Sequence, residues 1–185
     1  EGRSAGGPIV NAGQSWQDWR RRPGLTTPRR RLRSQRGCMR KPSGLTAQDF
    51  AEIQNLYAEY NLCSDAGDAA GYASCFTAEG VLQIQQLGLR VQSRPKLEAY
   101  KRKDQEGRRG RYRRHHNHSL HLERGEDGTV RGRCYFHGYN GTPGELPVLA
   151  DAGLYEDTVV QVDGVWLFAK RLLTLDATSF KPPTP

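Results

Sequence analysis

The stretch TAQDFAEIQNLYAEYNLCSDAGD, residues 46–68, decides how the rest of the chain is read. Phe50, Ile53, Leu56, Tyr57, Tyr60 and Cys63 recur every three or four positions, which predicts a helix with one apolar face. Thr46 stands as its N-cap. The end is expected at Asp65-Ala66-Gly67, where glycine can take the left-handed conformation that closes a helix. Asp68 then caps a second, short helix expected to run through Phe76.

Downstream, TAEGVLQIQQLGLRV (77–91) reads as two short strands meeting near Gly88. Ser93-Arg94-Pro95 opens a third helix over residues 94–104, with proline in its first turn. From there the pattern changes. Residues 115–124, 129–139, 153–162 and 165–175 alternate or run apolar and predict long strands. Gly125-Glu126-Asp127-Gly128 and Asp163-Gly164 read as hairpin turns, and 140–149, with Pro143 and Pro147, as a loop. Helices first and antiparallel strands after predict an α+β fold with helices packed on one face of a sheet.

Upstream lies a different kind of sequence. The chain has 185 residues and a formal net charge of +8, but residues 1–45 hold 11 basic and 2 acidic side chains. The remaining 140 residues are nearly neutral, so the charge gives no whole-protein argument for nucleic-acid binding. Residues 1–45 carry four prolines and no apolar period, and are expected to be a disordered basic tail. Met39 suggests that 1–38 is upstream sequence foreign to the domain, with an arginine-rich transit peptide as the alternative. The folded domain is expected over 46–176, with a short C-terminal tail at 177–185. No run reaches the length of a membrane helix. The four cysteines, Cys38, Cys63, Cys75 and Cys134, lack CxxC spacing, which points to a reducing compartment, the cytoplasm, and away from a cysteine zinc site.

Together the pieces IQNLYAEYNLCSDAGDAAGYASCFTAEGVL, RRHHNHSLHLE, GRCYF and AGLYEDTVVQVDGVWLFAKRLLTLD resemble the SnoaL-like domains of the nuclear transport factor 2-like superfamily. The resemblance implies a cone: a curved antiparallel or mixed sheet wrapped on three N-terminal helices, enclosing a blind pocket. Within that superfamily the chain is most similar to the bile-acid 7α-dehydratase and hexachlorocyclohexane dehydrochlorinase types. The similarity lies at Tyr60-x-x-Cys63-x-Asp65, at His115 and at Gly132-Arg133-x-Tyr135. Carried over, Asp65 and His115 form an acid–base dyad and Tyr60 a pocket hydroxyl. Phe76, Ile84, His118, Cys134 and Phe136 are expected in the pocket wall.

Such a trio suits removal of a proton from carbon with loss of a leaving group. Imidazole is a base near neutral pH, a carboxylate fixes its tautomer, and a phenol can assist the departing oxygen. The expected function is a cofactor-independent lyase, or related isomerase or cyclase, acting on a small apolar or polycyclic molecule. The alternative is a non-catalytic binding or accessory subunit resembling the small subunit of a ring-hydroxylating dioxygenase. A homodimer or homotrimer through the outer sheet face is expected, with no cofactor, no metal and no membrane partner.

Plainer readings stand beside these. Asp65 could end a helix or pair with an arginine of 108–114, and Tyr60 lies on the core stripe. Cys134 shares parity with Val130 and Phe136, which reads as packing. On an unbroken strand His116, His118, Leu120 and Leu122 share one face, and His115 and His121 the other. If the leucines face the core, His115 reaches a pocket only across a bulge or turn between His115 and Ser119; without one, His116 or His118 is the better base. His116-x-His118 could also hold two metal-ligand positions, but no nearby Cys, Asp or Glu completes a set. Finally, Lys101–Arg114 carries eight basic residues against Asp104 and Glu106, a solvated loop or a rim that attracts an anionic substrate.

Overall fold

The computed structural model describes residues 43–179; residues 1–42 of the expected disordered tail (1–45), and residues 180–185, lie outside them. Helix α1 spans Ala47–Ala66. The Thr46 side chain accepts the Asp49 amide while the Asp49 carboxylate accepts the Thr46 amide, a closed capping box. It ends as expected on Gly67, at φ 77°. Helix α2, Ala69–Ser74, is capped by Asp68. It stops short of Phe76, because Phe76 already belongs to strand β1 (Phe76–Ile84) and pairs with Phe168. A 3-10 turn, Gln85–Leu87, leads to β2 (Leu89–Gln92), and α3 spans Arg94–Gly107.

Four long strands follow: β3 (Tyr112–Arg124), β4 (Val130–Gly141), β5 (Val148–Val162) and β6 (Val165–Thr178). The sheet order is β2-β1-β6-β5-β4-β3, with only β1–β6 parallel. Asp163 and Gly164 join β5 to β6 with φ of 51° and 81°, the double left-handed turn that matches strand twist. The loop before β5 is shorter than the prolines suggested, since Asn140 pairs with Val148 and Tyr139 with Leu149. Strand β6 runs past residue 176, its Ala177 and Thr178 pairing with Ala152 and Asp151.

The sheet's concave face receives α1. Ile53, Tyr57 and Tyr60 are buried against Phe76, Phe168, Val130 and Val159, each at most 4% exposed. Burying each such side chain stabilises the fold by roughly 1.5–3 kcal/mol. Phe50, at the start of the stripe, stays 39% exposed. Gly132 on β4 allows α1 to come this close: a Cβ there would lie 2.1 Å from the Tyr57 hydroxyl oxygen.

Inside the core sits a charge. The Arg171 guanidinium (0% exposed) donates to both carboxylate oxygens of buried Asp157, at 3.1 Å each. Around it the rings of Tyr155, Tyr60, Phe168 and Tyr57 lie 4.0–4.8 Å from the guanidinium carbon. Four π faces and a bidentate carboxylate replace most of the water it has lost, while Nη1 has no hydrogen-bond partner among the described residues.

Candidate active site

One edge of the sheet continues directly into the site. Strand β3 pairs with β4 in regular register from Tyr112 to His118 and resumes at His121 opposite Arg133. Between them one extra residue is inserted on β3, and Ser119 takes a φ of 55°. The insertion resolves the parity conflict. Beyond it Leu122 is buried in the core, while before it His115 and Asn117 face inward. Without the bulge, the leucines and His115 could not occupy the same side.

His115 meets Asp65 there. Its backbone N–H donates to Asp65 Oδ2 at 3.0 Å, and its ring Nδ1 bonds Asp65 Oδ1. An ionised carboxylate offers only lone pairs, so the ring proton sits on Nδ1 and Nε2 carries the free pair. No protein group among the described residues bonds Nε2, and His115 lines the cavity. Burial pushes the imidazole down to about 4; Arg113 and Lys101 add to that effect, and Asp65 opposes it. The ring is therefore neutral, and able to accept a proton, well below pH 7.

Asp65 is aimed by the end of α1. Arg108 donates to the main-chain carbonyls of Ser64 (2.9 Å) and Asp65 (3.2 Å), filling acceptors that a helix terminus leaves open. An arginine of 108–114 thus does hold Asp65, but through its backbone, which leaves the carboxylate to His115. Lys101 donates to Ser64 Oγ at 2.8 Å, and both cations share Asp104. Burial would raise the Asp104 carboxyl, yet Lys101 and Arg108 hold it below its usual value. One turn earlier, Asn61 bonds Asn117 at 2.7 Å and ties α1 to β3 beside the dyad.

The cavity encloses about 720 Å³, within the range of small-molecule sites. Tyr60, Ile84 and Phe136 line it. The Tyr60 hydroxyl bonds that of Tyr72 at 3.1 Å, and burial pushes both phenols well above their usual range. The Tyr60 hydroxyl also interacts with that of Tyr155, and three hydroxyls joined by two bonds leave one O–H to donate.

Three expectations are corrected. His118 is exposed on the outer face, because it lies three residues from His115 on a strand still in regular alternation. Phe76 is fully buried among Tyr60, Tyr72 and Phe168 rather than at the cavity wall. Cys134 points inward like Phe136, but in the packed half beside Tyr57 and Asp157, where burial raises its thiol to about 12. His116 is likewise exposed. The described cysteines, Cys63, Cys75 and Cys134, are free thiols.

The sequence reading missed Asp151. It lies 6% exposed in the cavity, paired with Arg113 and accepting from the Thr178 hydroxyl. It also missed the Asp157–Arg171 pair, since each residue sits in an ordinary alternating strand. The basic run 101–114 was the one signal of this chemistry: Lys101, Lys103, Arg108, Arg111 and Arg113 all line the cavity, against Asp104 and Asp151.

No curated protein matches the chain. Among solved structures, Aln2 from a Streptomyces species is similar, with 23% identity and a TM-score of 0.66 over 71% of this chain and 94% of that one. A variant of Rv3472, a function unknown protein from Mycobacterium tuberculosis, is 29% identical with a TM-score of 0.62, over 70% of this chain and 72% of that one. A Catenulispora acidiphila protein in complex with S-DNPA is 25% identical with a TM-score of 0.62, over 71% of this chain and 96% of that one. The family model of the SnoaL-like domain matches residues 46–172. The chain belongs to the SnoaL-like domain family.

Proposed function

We propose that this domain is a cofactor-independent lyase-type enzyme, a dehydratase or a related isomerase or cyclase, acting on a small apolar or polycyclic molecule. One observation carries the reading: a neutral His115, oriented by Asp65, whose unbonded Nε2 belongs to a residue of the cavity wall. In the proposed step Nε2 takes a proton from carbon. The C–H electrons form the new double bond, the C–O bond breaks, and the oxygen leaves as water after receiving a proton. The donor is the O–H left over in the tyrosine cluster around Tyr60, and His115 returns a proton to it once the product has left. Asp65 keeps the imidazole in the productive tautomer and balances the imidazolium that forms.

The excess of cations over carboxylates in the wall supports an anionic substrate, such as a carboxylate. The relative bound to S-DNPA supports small-molecule binding in this fold. Exposed Tyr135, Val148 and Leu149 on β4 and β5 support self-association, as a homodimer or homotrimer. Among the described residues no helix is long and apolar enough to cross a membrane.

The test is proton exchange. Incubated in deuterium oxide with a panel of β-hydroxycarbonyl acids, the protein should place deuterium at the acidic carbon or release water. His115→Ala, folded by circular dichroism, should lose that exchange by about 10²–10⁴-fold. Exchange that persists in the variant would remove His115 as the base, and absence of both exchange and water release in the wild-type protein would remove the lyase reading and favour a binding role.

A further inference from the structure

The histidines of β3 that the cavity does not use remain to be placed. His116 and His118 project from the outer face, two residues apart on the edge strand of the sheet. In sequence no third ligand stands near them. The sheet supplies one: His116 pairs directly across the ladder with His137 of β4, and His118 with Tyr135. His137 shares the outer face, since its neighbours Phe136 and Gly138 are buried.

Three imidazoles therefore cluster on one exposed patch. The ring centroids of His118 and His137 are 5.2 Å apart, and those of His116 and His118 are 6.0 Å apart. Two imidazoles bound to one tetrahedral zinc, with Zn–N bonds of ~2.1 Å, have centroids roughly 5 Å apart. One pair already has that spacing; the other is about 1 Å wider, its rings stacked and His116 set edge-on against Tyr139. The rings do not converge as they stand, and among the described residues no three metal-binding side chains surround a ready-made ion position. His116 and His118 are exposed and His137 half-buried, so the proposal requires side-chain rotation to bring the rings together. The nearest cation along the strand, Arg114, leans the other way: its guanidinium lies 5.1 Å over the Tyr112 ring and donates to the Arg113 carbonyl.

We propose that His116, His118 and His137 form a surface site for a late first-row divalent cation, separate from the cavity. Three neutral nitrogen ligands suit zinc, copper(II) or nickel(II) over magnesium or calcium, which prefer oxygen. Solvent supplies the fourth position.

Equilibrium dialysis of the full chain against zinc chloride tests this, after chelator treatment and alkylation of the thiols. One zinc per chain should bind with a micromolar dissociation constant. His118→Ala and His137→Ala should each weaken binding at least tenfold. His121→Ala, beyond the bulge and opposite Arg133, should leave it unchanged. Absence of saturable binding, or retention of wild-type affinity by either the His118 or the His137 variant, would overturn the three-histidine assignment. His116 and His118 are exposed and His137 half-buried, and circular dichroism checks that each variant is folded.

Discussion

Two carboxylates in this fold each hold a nitrogen base, and the difference between them separates architecture from chemistry. Asp157 grips Arg171 with both partners fully buried and four aromatic rings closing the space. Asp65 grips His115 with each side chain about 10% exposed, at the wall of a cavity. Arginine keeps its proton at any ordinary pH, so the first pair can only be a strut. Histidine gives and takes one, and its second ring nitrogen is uncommitted. Burial and a carboxylate are common to both; only the open side and the choice of base suit the second pair to the proton transfer proposed above.

The contrast can be broken most forcefully at the strut. Asp157→Ala leaves a guanidinium unpaired in the core and should cost about 3–5 kcal/mol, seen as a large drop in the urea midpoint. The double change Asp157→Leu with Arg171→Met should recover much of that loss, because it removes both charges together. At the dyad the same kind of cut should act on rate instead. Asp65→Asn should reduce turnover by about 10²–10⁴-fold, since the amide no longer holds the productive tautomer, while the fold survives by thermal melting.

A smaller effect separates the pairs by pH. Native His115 titrates near 4 and the unfolded residue near 6.5, so below pH 6.5 the unfolded chain takes up a proton that the native one refuses. Stability is full above pH 6.5, falls as pH drops, and levels off below about 4, a loss of up to roughly 3 kcal/mol. His115→Gln should flatten that part of the urea-stability profile; an unchanged slope would place the proton uptake elsewhere. The mildest change lies at the helix start. Thr46→Ala opens the capping box and should cost about 1 kcal/mol in thermal stability without altering the activity per folded molecule.

How much of this was legible beforehand differs by element. The caps at Thr46, Asp68 and Gly67 and the Asp163-Gly164 turn were readable, because each is a local choice of backbone conformation made by a few side chains. The second helix was read too long, as Phe76 is claimed by a strand 92 residues away in sequence. The Asp65–His115 pair entered through resemblance, and strand periodicity argued against it until a bulge reversed the parity. Phe76, Cys134 and His118 were misplaced around the cavity because alternation tells which face a side chain takes, not where along a curved sheet the packing ends.

Thus the amino-acid order alone determined the helices, the turns, the strand alternation and the separation of a basic tail from a nearly neutral domain, all consequences of short-range sterics and apolar period. Only the tertiary structure decided that Asp65 reaches His115 and that Arg108 braces the helix end from behind. It likewise decided that Asp151, Lys101 and Arg113 share one chamber and that His137 joins His116 and His118. Each of these contacts depends on the register and curvature of strands distant in sequence, which a local pattern of residues does not encode.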